Sequence, residues 1–203
     1  MIYLASRSPR RLELLAQLGI ECRLLLDDDE SRAESLEVTS AGETPARYVQ
    51  RVALSKAQAA MQRLSDFGLP AAVLLCADTT VAVGNTILGK PQDAADAARM
   101  LRLLSGRSHK VLSAVVVASA SRSRLLTGMQ VSKVRFSRLK PPQIEAYIAT
   151  GEPFGKAGAY AIQGRAAGFI RTIDGSHSGI MGLPLFETTQ LLRKAGYSFP
   201  TLP

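Results

Sequence analysis

The sequence is poor in the residues that build base-stacking platforms and histidine-rich metal centres. Its 203 residues include no Trp, and aromatic residues make up only 5%, so a surface for stacking successive bases is poorly supplied. The two histidines, His109 and His177, lack metal-ligand spacing and exclude a histidine-rich centre. Any metal would therefore be held by oxygen atoms, which suits Mg²⁺ or Mn²⁺ between carboxylates and phosphates.

Cysteines and long apolar runs are also scarce. Cys22 and Cys76 are the two cysteines, and we expect buried free thiols rather than a disulfide bridge. The longest apolar runs, LPAAVLLCA and SAVVVASA, have the length of strands and not of a membrane span. The opening residues MIYLASRSPRR show no secretory signal pattern. These absences predict a cytoplasmic protein with no membrane partner.

The charge balance favours an anionic partner, with 25 Lys and Arg against 17 Asp and Glu and a net charge of +8. The basic residues are scattered rather than massed in one tract, which makes nucleic acid an unlikely partner. A small polyanion such as a nucleoside triphosphate suits dispersed Arg and Lys equally well. The alternative is that the charge serves solubility alone.

Strands and helices alternate along the chain, with an antiparallel portion in the middle. This pattern predicts one domain over residues 1–203 of the α/β class with a mixed sheet. One apolar strand, near 72–77, is expected to end at Asp78, and a turn at Gly84-Asn85 precedes a short return strand. Residues 21–43 and two Gly-rich segments, 151–164 and 176–184, are predicted as loops. Further strands are predicted at 2–5, 110–120, 131–139 and 166–175, and helices at 9–18, 45–65, 92–104, 141–150 and 185–196.

The stretch ASRSPRRLELL near the start of the chain predicts a helix that begins with unusual charges. Ser8 is suited to the N-cap and Pro9 to the first helical position. The first turn then carries Arg10 and Arg11, where the helix dipole favours acidic residues instead. Either both side chains point into water, or an anion binds at this helix start.

Other polar residues fall where a phosphate-bearing ligand could meet them. Asp78 directly follows an apolar run, a costly position unless the carboxylate is solvated, hydrogen-bonded or metal-bound. A turn or cap role for Asp78 is an equally good explanation. Lys90 lies in a Gly-Lys-Pro turn that is not a Walker loop, since no Ser or Thr follows it. Gln163, in the first Gly-rich segment, can read a base edge as both donor and acceptor. Glu30 and Asp78 are the candidate metal ligands.

These residues together favour metal-assisted attack of water on a phosphoanhydride. Arg and Lys side chains would neutralise the phosphate oxygens, and a carboxylate would position or deprotonate the water.

Several long motifs, in order and over nearly the whole chain, resemble the Maf family, the septum-formation-associated nucleoside triphosphate pyrophosphatases. The resemblance implies an α/β fold with an elongated mixed sheet and a deep cleft between two lobes, similar to inosine triphosphate pyrophosphatases. It also implies cleavage of a nucleoside triphosphate to the monophosphate and pyrophosphate with a divalent metal, and a possible homodimer. The motifs are LASRSPRRLELLAQLGI, ARYVQRVALSKA, ADTTV, ILGKPQDAADAARMLRLLSGRSHKV, KAGAYAIQG and GLPLFET.

The resemblance also implies residue roles. Asp78 matches the family's proton acceptor, and Glu30 matches an acidic member of the site. Arg10, Thr79 and Gln163 match the branch that prefers dTTP and UTP, whereas the branch acting on 7-methyl-GTP has Trp, Gln and Glu there. The residues that match the phosphate and metal region are Ser8, Arg11, Lys56 and Lys90.

Two residues depart from the family pattern, and one of them, Gly155, together with the net charge of +8 keeps a non-catalytic function open. Gly155 stands where relatives usually carry Asp, so metal binding or the orientation of Lys156 would differ if that acid serves either. Arg7 stands where a small residue is common. A nucleotide- or nucleic-acid-binding regulator of cell division without catalysis is the main alternative. A phosphatase acting on small phosphorylated metabolites is the other.

Overall fold

The computed structural model describes residues 1–27, 35–121 and 123–199, and within them it forms a mixed sheet covered by helices. The strands are β1 (Ile2–Leu4), β2 (Cys22–Leu24), β3 (Leu74–Val83), β4 (Thr86–Leu88), β5 (Ser108–Ala118), β6 (Leu125–Phe136) and β7 (Ile170–Asp174). The helices are α1 (Pro9–Gln17), α2 (Pro45–Asp66), α3 (Ala94–Leu104), α4 (Pro141–Ala149), α5 (His177–Met181) and α6 (Leu185–Lys194).

The seven strands of the described residues form one sheet in the order β2-β1-β3-β5-β6-β7, with β4 beside β3. β1 runs parallel to β2 and β3, and the other pairs are antiparallel. The predicted α/β class with a mixed sheet is therefore confirmed. None of the helices in these residues combines the length and apolar character needed to cross a bilayer.

The two faces of the sheet are covered by different helices because side chains alternate along a strand. On β5, Leu112, Ala114 and Val116 pack in the core under α2. The intervening Val115 and Val117 pack in the core with α1 and α6. A third cluster, around α3 and α4, fills the region beside β4 and β6.

The long helix α2 forms where capping and apolar spacing agree. The Thr44 hydroxyl accepts a hydrogen bond from the Arg47 N–H, and Pro45 occupies the first turn. Buried residues then recur at helical spacing, including Val52 and Leu64. The helix therefore lies flat on the sheet and presents its other side to solvent and to the cleft described below.

Three expectations about elements are wrong. β3 does not end at Asp78 but continues to Val83, and Asp78 pairs with Ala114 of β5. The segment 21–43 contains β2, which pairs in parallel with β1. The Gly-rich segment 176–184 contains α5, which forms because the Ser176 hydroxyl caps it by accepting from the Gly179 N–H.

The Gly-rich segment 151–164 is fastened to β3 through Gly158. Its φ is +70°, and an added Cβ would lie 2.9 Å from three carbons of the Val81 side chain. The Gly158 N–H also donates to the Gly89 carbonyl at 3.0 Å. A side chain at this position is therefore excluded by both conformation and space.

We expect Gly158→Ala to destabilise the protein by about 2–5 kcal/mol, since left-handed strain and overpacking add. Gly155→Ala is the matched control, because Gly155 has a similar φ of +72° and an added Cβ there meets no atom of the described residues within 4 Å. It should cost about 1–2 kcal/mol from strain alone. Denaturant unfolding of both variants measures the difference, and equal losses would contradict the packing role of Gly158.

His109 makes the stability depend on pH. Its ring is buried, its Nε2 lies 2.8 Å from the Tyr160 hydroxyl, and burial lowers its pKa from 6.5 to about 4. Below pH 6.5 the unfolded chain binds a proton that the native state refuses, so stability falls as the pH drops. Between pH 7 and pH 5, His109→Gln should lose about 2 kcal/mol less unfolding free energy than the wild type. Identical losses in denaturant unfolding would contradict this account.

Candidate active site

A deep cleft of about 1200 Å³ brings together the predicted site residues that the structure describes. It runs past the start of α1, the middle of β3 and the Gly-rich segment 155–163. Glu30 lies outside the described residues. The predicted residues that line the cleft are Ser8, Arg10, Arg11, Lys56, Asp78, Thr79, Lys90 and Gln163.

Asp78 is a buried carboxylate in the middle of the central strand β3. Only 6% of its surface is exposed, and its Oδ1 accepts a hydrogen bond from Lys56 Nζ at 2.7 Å. Burial raises the pKa of Asp78, and the charges of Lys56 and Arg11 oppose that rise without cancelling it. The result is a carboxylate with a raised proton affinity, held in place by a cation.

Thr79 projects to the opposite face of β3 from Asp78, as expected for successive strand residues. Its hydroxyl lies 2.8 Å from the Ser113 hydroxyl on the neighbouring strand. Ser113 in turn donates to the Gly179 carbonyl of α5 at 2.6 Å. This chain of contacts fixes the Thr79 hydroxyl at the cleft wall.

Arg11 lies at the start of α1 but does not point freely into water. Its Nε donates to the Gly182 carbonyl at 2.8 Å and its Nη1 to the Ser6 hydroxyl at 2.9 Å. Burial lowers the pKa of Arg11, with Asp78 the largest charge acting in the other direction. The guanidinium is thus fixed at the cleft wall, where its charge and that of Asp78 interact.

Arg10, next to it, has a half-buried side chain whose Nε finds no hydrogen-bond partner among the described residues. Burial lowers its pKa, while Glu13 raises it. A buried donor without a partner is costly unless a ligand completes it. The Arg10 side chain thus lines the cleft and carries one buried N–H that no described residue satisfies.

Residues 6–8 form the loop that leads into α1. Ser8 is the N-cap residue of α1, as predicted, and its N–H donates to the Ser6 hydroxyl at 3.2 Å. Arg7 donates to the backbone carbonyl of Asp27. The serine hydroxyl that holds this loop is therefore that of Ser6, which accepts from the Ser8 N–H and from Arg11.

Glu37 is a cleft residue that sequence reasoning missed. Its Oε1 accepts from Lys56 Nζ at 2.7 Å and its Oε2 from Lys90 Nζ at 3.1 Å. Burial acts to raise the pKa of Glu37, but the two lysines outweigh it and lower the pKa overall. A lone Glu in a polar segment carries no signal of this position, and the segment 21–43 was predicted as a loop.

The Gly-rich segment supplies the remaining wall. Gln163 is exposed at the cleft. Behind it, the Glu152 carboxylate accepts from the Arg165 N–H at 2.9 Å and from the Tyr147 hydroxyl at 2.8 Å. Burial lowers the pKa of Lys156, and the charge of Arg10 adds to this effect. Gly155 is also on the wall, and a Cβ added there would meet no atom of the described residues within 4 Å.

The donor set suits a divalent metal only in company with phosphates. Among the described residues no group of three or more His, Cys, Asp or Glu converges on one point. The carboxylates of Asp78 and Glu37 instead approach the same Lys56 ammonium, each at 2.7 Å. Mg²⁺ is commonly held by one or two carboxylates plus substrate phosphates, so Asp78 fits such a shared site.

Comparison with known proteins agrees with the motifs. A family model described as Maf-like protein matches residues 1–195. The dTTP/UTP pyrophosphatase of Cupriavidus metallidurans is 57% identical over 199 residues, 98% of each chain. That of Ralstonia nicotianae is 59% identical over 194 residues, covering 96% of this chain and 93% of the relative.

A comparison with solved structures finds partial similarity of fold. A nucleoside-triphosphatase (dITP/XTP pyrophosphatase) from Mycobacterium abscessus is 20% identical, covers 68% of this chain and 75% of its own, and has a TM-score of 0.43. The family match, together with relatives of more than 50% identity over nearly the full length, confirms the resemblance inferred from the motifs. The chain belongs to the Maf family.

Proposed function

We propose that this chain, acting as a single domain over 1–203, hydrolyses dTTP and UTP to the nucleoside monophosphate and pyrophosphate. The observation that carries the proposal is the buried Asp78 carboxylate, held by Lys56 in a cleft where Arg11 and Lys90 also converge. The similarity to the dTTP/UTP pyrophosphatases of Cupriavidus metallidurans and Ralstonia nicotianae supports it. Assignment to the cytoplasm and to a homodimer stays a prediction.

The triphosphate binds between the start of α1 and the lysines. The N–H of Arg10 at the start of α1, with Ser8 beside it, and the fixed guanidinium of Arg11 provide donors for phosphate oxygens. Lys56 and Lys90 add positive charge on the α2 side of the cleft. This distribution neutralises charge that builds up on the leaving pyrophosphate.

Asp78 acts as the base toward the attacking water. Burial raises the pKa of Asp78, which makes its carboxylate a stronger base toward water than an ordinary Asp. The water oxygen forms the new bond to phosphorus of the nucleoside phosphate, and the bond to the pyrophosphate oxygen breaks. Lys56, at 2.7 Å, stabilises the ionised carboxylate before the reaction.

A divalent metal, Mg²⁺ or Mn²⁺, would supply charge neutralisation of the phosphates when bound. Asp78 is the described residue that would hold it, with Glu30 as the second candidate and phosphate oxygens completing the set. Arg11 and Lys90 orient the same phosphates from the protein side.

The nucleobase of the substrate would be selected on the wall formed by Arg10, Thr79 and Gln163. The amide of Gln163 can donate to and accept from a uracil-like edge, whereas a Glu in its place would favour a guanine-type base. Arg10 contributes its guanidinium, which lines the cleft. The fixed hydroxyl of Thr79 adds a further polar contact.

A nucleotide panel tests the reaction and its specificity. With Mg²⁺ or Mn²⁺, purified protein should release pyrophosphate from dTTP and UTP faster than from GTP and 7-methyl-GTP. Product identification separates the alternatives, because a phosphatase releases orthophosphate. Nucleotide binding without any release would favour the non-catalytic regulator and overturn the proposal.

Removing the base should abolish most of the turnover. Asp78→Asn should lower kcat for dTTP by about two orders of magnitude or more, the range of lost general-base catalysis. In the wild type, activity should fall on the acid side at a pH above the ordinary Asp pKa, since burial raises the pKa of Asp78. Asp174→Asn, at an exposed position at the end of β7, is the control and should retain activity. Near-wild-type turnover of Asp78→Asn would remove Asp78 from the mechanism.

A further inference from the structure

The backbone around Glu37 is held by α2 at three consecutive carbonyl groups. Tyr48, through its hydroxyl, donates to the Glu37 carbonyl at 2.9 Å. Arg51 donates to the Leu36 carbonyl through Nη1 at 3.3 Å and to the Val38 carbonyl through Nη2 at 2.9 Å. We call residues 36–38 the Glu37 arm.

The helix side chains that hold the arm are themselves fixed. Arg51 forms two hydrogen bonds of 2.7 Å to the Glu43 carboxylate, a bidentate geometry that restricts the guanidinium. Tyr48 is buried with 7% of its surface exposed. The position of the Glu37 arm is therefore determined by packed and paired groups, and its carboxylate is presented to the cleft.

The Glu37 carboxylate forms ion pairs with Lys56 and Lys90, the two lysines that bind phosphate in the proposed function. Its two oxygens take one hydrogen bond each from Lys56 and Lys90. Lys56 also donates to Asp78, so two of its three N–H groups serve carboxylates. The lowered pKa of Glu37 keeps it ionised at neutral pH. An arriving phosphate therefore meets a resident anion on both ammonium groups.

We propose that Glu37 competes with the phosphate groups of the nucleotide and of the product pyrophosphate for Lys56 and Lys90, and thereby limits their affinity. This role rests on the proposed function for the identity of the ligand. A phosphate that approaches Lys56 and Lys90 meets repulsion from the carboxylate and competes with it for their N–H groups, and the same competition favours release of pyrophosphate. Glu37 is thus an affinity-setting residue and not a catalytic one.

The size of the effect follows from the exposure of the pairs. The Lys90 side chain is 52% exposed and that of Glu37 27%, so solvent screens the Lys90 pair strongly. Lys56 is more enclosed, at 17%. Removing the Glu37 charge frees both lysines from partly screened ion pairs and also removes its repulsion of the phosphate. Together these effects predict a change in phosphate affinity of about tenfold.

Calorimetric titration of full-length protein with inorganic pyrophosphate tests the competition without turnover. In metal-free buffer Glu37→Gln should bind pyrophosphate about tenfold more tightly than the wild type. Glu37→Asp, which keeps the charge, should lie between the two. The gain should shrink as salt rises, because screening weakens the competition. In steady-state assays the KM for dTTP should fall in the same order.

Asp66→Asn is the matched control. Asp66 also lines the cleft, but it pairs with Gln62 on α2 rather than with either lysine. Its replacement removes the same charge and should leave pyrophosphate affinity within about twofold, since a screened charge away from the lysines contributes little. Thermal unfolding of each variant separates loss of folded protein from a change in affinity.

Three results would overturn the role of Glu37. Equal or weaker pyrophosphate binding by Glu37→Gln would exclude competition, as would absence of binding by both proteins. If Glu37→Gln binds pyrophosphate more weakly than the wild type only when Mg²⁺ is added, Glu37 is a metal ligand instead. Because the titration needs no hydrolysis, a protein that fails to cleave dTTP but binds pyrophosphate more tightly as Glu37→Gln would refute the proposed function and keep the competition.

Discussion

The contact on which the site depends is the Lys56 ammonium between the carboxylates of Asp78 and Glu37. A carboxylate in the middle of a central strand is tolerable only when a cation accompanies it. Lys56 comes from α2, which is positioned by its apolar contacts with the sheet. The packing that stabilises the fold therefore also places the charge that opposes the rise in the pKa of Asp78.

Successive side chains of β3 point to opposite faces of the sheet, so its polar residues contact two different layers of helices. Asp78 faces α2 and its lysine, whereas Thr79 faces Ser113 and the backbone beside α5. Arg11 joins the second layer to the first turn of α1 through the Gly182 carbonyl. Polar groups from both sides of the sheet thus meet at one cleft, although each layer has an apolar core of its own.

Much of the architecture was predictable because it depends on local patterns. Helix α2 and the antiparallel middle strands follow from apolar spacing, and the motifs pointed to Asp78, Lys56 and Arg11. The partner of Arg11 was not predictable, since Gly182 is 171 residues away. β3 was expected to end at Asp78 because its polar side chain suggested solvent. Lys56, 22 residues earlier, satisfies that carboxylate inside the structure instead.

The close packing of Gly158 on Val81 attaches the Gly-rich segment 151–164 to β3, the same strand that carries Asp78. Val81 is three residues beyond Asp78 on β3, about 10 Å along a strand. The loop that carries Gln163 is therefore registered against the same rigid strand as the carboxylate. Because both contacts lie on β3, the distance between them is set by one strand and not by the packing of one helix on another.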